Sequence, residues 1–531
     1  MKKISCVILA LLMVFTFASC GSKTKEYVIK DAALKPVDRP DDDNIVFYQI
    51  FVGSFSDSNG DGIGDLKGVI NRLDYLNDGK PDSGKSLGIE GIWLSPIFTS
   101  PSYHKYDVAD YYEIDKDFGT EDDLKKLIEE CHKRGIRLIL DLPINHTSSQ
   151  HKWFTNFVAT HKTDNTGNVF YDYYTWYRSG GERPSGGGYS RVEGTDDFYE
   201  CSFSGDMPEL NYDNPLVVDD VLKIAKYYIA LGVDGFRFDA SKYVYFGDNE
   251  RSARFWDAFI GELRKENPKL YIVHEVWDND SVTFEYNTSG NCFDFTAAQS
   301  EGKIAMAAKA GNASVYTSYV ESYISKLASI NPDAVYVPFL ANHDMDRAAG
   351  FLPVFNGRAY VAANLMLLGP GSPFIYYGEE LGMKGTRGGA NTDANRRLAM
   401  VWGDGDSIKD PEGTTYDSSK QIEDGAIAQM GKEDSLYTYY KRLIMIRNAN
   451  PEIARGDYRY ISFAGTKAGG FVSTYEGSTV CVVHNTSNDD LVLDLSGAGT
   501  FTELRAYAGV GTASLDGNTL TISSQTSAVL K

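Results

Sequence analysis

Three carboxylates occupy matching positions in this chain: Asp239 in GVDGFRFDASK, Glu275 in LYIVHEVW and Asp344 in YVPFLANHD each close a short apolar run. An ionisable side chain directly after a β-type run is expensive to bury unless it is paired, so three at similar topological positions point to one shared pocket. Such a pocket can exchange protons and present an oxygen nucleophile to a polar bond. Each segment alone also reads as a strand end meeting solvent. A second cluster lies earlier, in DSNGDGIGD: Asp57, Asn59, Asp61, the carbonyl of Ile63 and Asp65 fall on alternate positions, with Gly62 at the tight turn. This is the oxygen-ligand spacing of a calcium loop, although Gly68 stands where a bidentate Glu closes such loops. The alternative is an Asx-rich turn held by its own hydrogen bonds.

The elements that position these residues are legible as alternation. Apolar or β-branched runs occur at 45–56, 88–96, 135–146, 232–240, 270–276, 292–295, 334–344 and 372–380. Between several of them lie amphipathic stretches such as EDDLKKLIEECHKRG and PLVVDDVLKIAKYYIALG, whose apolar residues recur at helical spacing. Eight strand-like runs alternating with helices predict an α/β fold, a (β/α)8 TIM barrel with its chemistry at the carboxyl ends of the strands. Two stretches break the rhythm. Residues 147–212, aromatic and Gly-rich, are too long for a plain connection and predict a small inserted domain after strand 3, which divides the barrel into 45–146 and 213–455. Residues 456–531 carry short alternating runs separated by turn residues and predict a C-terminal antiparallel β-sandwich.

Ahead of the barrel, Lys2 and Lys3 precede an apolar run to Ala18, too short for a permanent span and shaped like a secretory signal. It closes as FASC, which resembles a bacterial lipoprotein cleavage box with Cys20 as the lipidated first residue of the mature chain. Residues 1–20 are therefore expected to direct export. The lipid would anchor the protein to a bacterial membrane on its periplasmic or cell-surface side. Residues 21–44 read as a polar tether. Cys131, Cys201, Cys292 and Cys481 are widely spaced, without CxxC pairs, and read as buried thiols. With 73 acidic against 52 basic side chains the formal net charge is -21, which makes nucleic acid an unfavourable partner.

DLPINH (141–146), GFRFDASK (235–242), HEVW (274–277) and ANHD (341–344), with GIWLSP, MPELN and GSPFIYYGEE around them, resemble in order the motifs of the α-amylase family of glycoside hydrolases, family 13. The resemblance spans nearly all of the mature chain and is nearest to the intermediate group between oligo-1,6-glucosidases and neopullulanases, which includes exported α-amylases. It implies that Asp239 is the nucleophile, Glu275 the acid/base and Asp344 the carboxylate that grips the sugar. A retaining mechanism needs the first two about 5 to 5.5 Å apart. Arg237, two residues before Asp239, is expected to keep that carboxylate ionised. His146 and His343 match sugar-binding histidines, Tyr106 the aromatic platform beneath the cleaved sugar, and His104 and Lys242 further sugar contacts. The resemblance also implies a structural Ca2+ at the Asp57 loop and a second site at Asn145, where Tyr243 replaces a neighbouring His common in the family.

Ala240 after the nucleophile is typical of members acting on α-1,4 bonds. The expected activity is endo-acting hydrolysis of starch and maltooligosaccharides by a monomer. Exo-acting α-glucosidase, neopullulanase-like and transglycosylating action are the alternatives. A non-catalytic carbohydrate-binding relative is the rival from another class, and the three retained carboxylates argue against it.

Overall fold

The computed structural model describes residues 28–31, 41–81, 83–184, 186–390 and 392–531. Seven parallel strands form one curled sheet: β1 (Phe47–Ile50), β2 (Gly91–Leu94), β3 (Arg137–Leu142), β4 (Gly235–Phe238), β5 (Tyr271–His274), β6 (Asn291–Cys292) and β7 (Phe374–Tyr376), in the order β6-β5-β4-β3-β2-β1-β7. The run 334–344, expected as the remaining strand, closes the ring through single parallel bridges, Phe293 to Val337 and Phe339 to Phe374. Pro338 in its middle has no N–H to give, so no continuous ladder forms there, although its carbonyl still accepts from Phe374 N at 3.0 Å. The result is a (β/α)8 barrel.

Local sequence explains the crossovers. Helix Glu121–Lys133 starts in a capping box, with Thr120 accepting from Asp123 N, and buries Leu124, Leu127, Ile128 and Cys131 along one face. Helix Pro215–Leu231 starts at Asn214, has Pro at its first turn, and stops at Gly232, whose φ of 103° suits only glycine. That turn delivers the chain into β4, where a Cβ on Gly235 would meet Tyr271 O at 2.0 Å. Every residue of β1, β2, β4 and β5 is buried, the continuous apolar pattern of parallel strands covered on both faces.

The insertion after β3 holds helix Lys152–Lys162 and a small antiparallel sheet of Trp176–Arg178, Tyr189–Arg191 and Asp197–Glu200. At the C-terminal end, a six-stranded and a three-stranded antiparallel sheet share a separate apolar cluster that includes Val472, Leu493, Leu520 and Leu530. These sheets include strands Leu504–Gly509, Ala513–Asp516 and Thr526–Leu530.

One expectation is corrected. Val28–Asp31, read as part of the polar tether, forms a strand antiparallel to Leu504–Gly509 at the edge of the six-stranded sheet. The end of that segment is also tied down, because Arg137 pairs with Asp41 and Asp43 and Arg455 with Asp42. The signal run and Cys20 lie outside the described residues. Among the described residues no helix is long and apolar enough to cross a membrane. Cys131, Cys201, Cys292 and Cys481 are buried free thiols.

Candidate active site

A cavity of about 860 Å³ opens at the carboxyl ends of the strands, and Asp239, Glu275 and Asp344 all line it. Behind them Arg237 is fully buried. In register, Arg237 of β4 stands beside Asp141 of β3, and its Nη1 donates to Asp141 Oδ1 at 2.8 Å and to Asp239 Oδ1 at 2.5 Å. Arg237 Nη2 lies 3.0 Å from Glu275 Oε2, an ion pair without hydrogen-bond alignment. One guanidinium thus faces three carboxylates.

The division of protons follows from the remaining contacts. Burial pushes both Asp141 and Glu275 up to about 7, against the pull of Arg237. Asp141 also accepts hydrogen bonds from Tyr106 Oη (2.8 Å) and Trp93 Nε1 (3.2 Å), which hold its ionised form. Glu275 accepts from Ala240 N at 2.9 Å and shares a side-chain hydrogen bond with Asp239 that holds Asp239 ionised, so Glu275 is the carboxyl best placed to carry a proton. Burial also raises Asp239, opposed by the short contact with Arg237. Asp344 differs: although burial disfavours its charge, His343 and Arg397 hold it well below the usual carboxylate range. Arg397 Nη2 donates to Asp344 Oδ1 at 2.8 Å.

His343 is buried behind the wall rather than on it. Gln49 Nε2 donates to its Nδ1 at 2.7 Å, which leaves the proton on Nε2, facing Tyr106 Oη at 2.6 Å and Asp344 Oδ2 at 3.0 Å. Burial keeps the imidazole neutral, so it serves Asp344 as an N–H donor while Arg397 supplies the charge. The Tyr106 ring stacks on it with an interplanar angle of 3°. Of the other expected contacts, Tyr106, His104 and His146 line the cavity. His104 Nδ1 accepts from Tyr106 N at 3.1 Å, which turns its Nε2–H outward. Both ring nitrogens of His146 are buried without a well-aligned partner among the described residues.

Lys242 lies beside the cavity, next to the lining residue Trp277. Its Nζ binds Trp277 O and Asp278 Oδ2, each at 3.0 Å, and it is not part of the cavity wall. The structure adds residues that sequence reasoning missed: Arg397 and Asp141 in the charge network, and Phe203, Trp277 and Gln299 on the wall. Asp141 sat inside a quoted motif, and its strand-end position was the available signal. Arg397 is distant in sequence and carried none.

In the loop after β1, Asp57 Oδ1 accepts from Asn59 N and Gly60 N, Asp57 Oδ2 from Gly62 N, Asn59 Oδ1 from Asp61 N and Asp61 Oδ1 from Ile63 N. Asp65 caps helix Leu66–Asn71. This is the Asx-turn arrangement. Among the described residues no group of three or more His, Cys, Asp or Glu side chains is placed to hold a metal ion. The donors are nonetheless all oxygen, which suits a hard cation and no softer one. Asn145 Nδ2, at the second implied site, is buried beside the Glu209 carboxylate, without a well-aligned hydrogen bond among the described residues.

Comparison with known proteins agrees with this arrangement. Residues 49–456 match the family model "Alpha amylase, catalytic domain". Alpha-amylase 3 of Dictyoglomus thermophilum is 35% identical over 446 residues, covering 83% of this chain and 84% of its own. A 4-alpha-glucanotransferase of Thermotoga neapolitana is 30% identical over 460 residues, covering 85% and 97%. Among solved structures, Eubacterium rectale Amy13B superposes with a TM-score of 0.86 at 33% identity, covering 94% of this chain and 99% of its own.

Proposed function

The chain belongs to the α-amylase family of glycoside hydrolases and acts on O-glycosyl bonds of α-glucans; within that family we propose that it is a retaining, endo-acting α-amylase that cleaves α-1,4 bonds of starch and maltooligosaccharides. The observation that carries this reading is the gathering of Asp239, Glu275 and Asp344 on one wall, with the charges divided by Arg237 and Arg397. Asp239 attacks the anomeric carbon while Glu275 protonates the departing glycosidic oxygen. A glycosyl ester on Asp239 results. Glu275, now ionised, takes a proton from water as the water attacks the same carbon, the ester bond breaks, and Asp239 is released. Asp344, ionised throughout, binds sugar hydroxyls, with His146 and His104 offering further hydrogen bonds and Tyr106 a ring face.

Two observations favour α-1,4 endo action: Ala240 follows the nucleophile, and the cavity is larger than a single sugar ring requires. Chromatography of products from maltoheptaose and pullulan tests it. Mixed short maltooligosaccharides from maltoheptaose support endo action. Glucose as the sole early product, or products longer than the substrate, replaces it with exo or transfer action. Starch binding without cleavage by the wild type would leave only the carbohydrate-binding reading.

Two further readings belong to this proposal. The Asp57 loop takes a structural calcium ion, supported by its ligand spacing and all-oxygen donors. The protein is an exported, monomeric lipoprotein held to a membrane through Cys20, supported by the Lys2–Lys3 start, the apolar run and the FASC box.

A further inference from the structure

Among the described residues, six that are not glycine have backbones in the left-handed region: Lys105, Asp164, Ala240, Gln299, Glu476 and Gln525. Such backbones are disfavoured for residues with a Cβ, and where they persist the surroundings enforce them, often at functional sites. Three of the six belong to the active site. Ala240 lines the cavity and gives its N–H to Glu275; Lys105 separates the lining residues His104 and Tyr106; Gln299 lines the cavity with φ 71°. The first two have evident work in placing catalytic neighbours. Gln299 has no such neighbour, and a glycine would hold that backbone more cheaply.

Gln299 lies on the segment that follows β6. Its N–H is fixed to Leu340 O at 2.9 Å. Phe295, on the same segment, stacks on Trp277 at a centroid distance of 5.1 Å and an interplanar angle of 19°. Trp277 is two residues beyond Glu275, and it and Gln299 both line the cavity, so the Phe295 contact ties the segment that carries Gln299 to the segment that carries the acid. Its side-chain amide makes no hydrogen bond to another described residue. An amide offers two donors and an acceptor, the complement of a sugar hydroxyl pair.

The acid protonates the oxygen that leaves, so the departing sugar, and the acceptor that follows it, lie on the acid's side. We infer that Gln299 hydrogen-bonds the sugar on the leaving-group side and sets how often a sugar hydroxyl, rather than water, accepts the glycosyl group. In the transfer step the acceptor O–H attacks the anomeric carbon of the Asp239 ester, its proton passes to Glu275, and the bond to Asp239 breaks. The inference rests on the proposed double displacement at Asp239 and Glu275.

Gln299→Gly and Gln299→Ala, assayed on maltoheptaose and on α-maltosyl fluoride, provide the test. Fluoride is a leaving group with no sugar to bind. Gln299→Gly is expected to melt no lower than wild type, because it relieves the backbone, yet to lose at least fivefold in kcat/KM on maltoheptaose. Its ratio of transfer to hydrolysis should fall at least threefold, with fluoride hydrolysis within twofold of wild type. Gln299→Ala should show the same kinetics with a lower melting temperature. Unchanged maltoheptaose kinetics in both variants, or equal losses on the two substrates, would overturn the inference, as would a Gly variant that loses stability and activity together. Failure of the wild type to cleave either substrate would instead overturn the proposed function.

Discussion

Arg237 is the residue on which the chemistry turns, because one buried cation cannot neutralise Asp141, Asp239 and Glu275 at once. Taking one partner from such a buried set leaves uncompensated charge, which makes the site intolerant of single changes. The consequence for pH is specific. Glu275 must be protonated to act as acid, and burial pushes it to about 7, so kcat/KM should fall as pH rises through about 7. At the acid limb, activity should fall as Asp239 takes up a proton; Asp344, held low, adds no limb near neutrality. A pH–rate profile checks this, and Glu275→Gln should abolish the alkaline limb and lower kcat by about 10²- to 10⁴-fold on substrates that need a proton. The three carboxylates were legible in the sequence because each ends a strand-like run, and Tyr106 was legible only through the family resemblance. Asp141 and Arg397 as partners were not, since pairing across neighbouring strands and distant loops leaves no spacing to read. For the same reason the sequence did not show that His343 stands behind the cavity wall and Lys242 beside it.

At the scale of elements, the loop from Ser100 to Tyr106 is held by an unusual anchor. Lys105, at φ 65°, turns its side chain inward to pair with Asp115 at 2.9 Å, with both side chains almost fully buried. Lys105→Met should therefore cost about 3 kcal/mol of stability, read from denaturant unfolding, because it strands the Asp115 charge. Adding Asp115→Asn should restore much of that loss. The Asp57 loop is a second element with a clear test of the calcium proposal: under it, chelator should lower the melting temperature and added calcium should restore it. A melting temperature indifferent to both would leave the loop as the Asx-turn structure its hydrogen bonds already make. Strand positions were legible from apolar runs, whereas the pairing of Phe98–Thr99 with Asp110–Ile114 was not, because its register is irregular and its buried residues Phe98, Tyr111 and Ile114 do not alternate. The run 334–344 was read as an ordinary barrel strand, and Pro338 within it accounts for the missing ladder.

The whole molecule places an acidic barrel and its β-sandwich behind an N-terminal segment that the sequence marked only as polar. That segment was misread at Val28–Asp31 because four residues are too few for periodicity to declare a strand; its pairing with Leu504–Gly509 comes from the far end of the chain. If Cys20 is the anchor, Cys20→Ser should move the protein from the membrane fraction to the soluble exported fraction while leaving its activity on soluble starch within twofold. Equal membrane recovery of wild type and variant would remove Cys20 from that role. The barrel and insertion were legible from rhythm and length, and the separate core of the β-sandwich from its alternation.

The most direct test is to trap the covalent intermediate: incubation with a 5-fluoro-α-glycosyl fluoride, followed by intact mass and peptide mapping. One glycosyl adduct on Asp239 is the predicted result. An adduct on Glu275 or Asp344, or none on an enzyme that hydrolyses starch and consumes the reagent with inversion, would contradict the account.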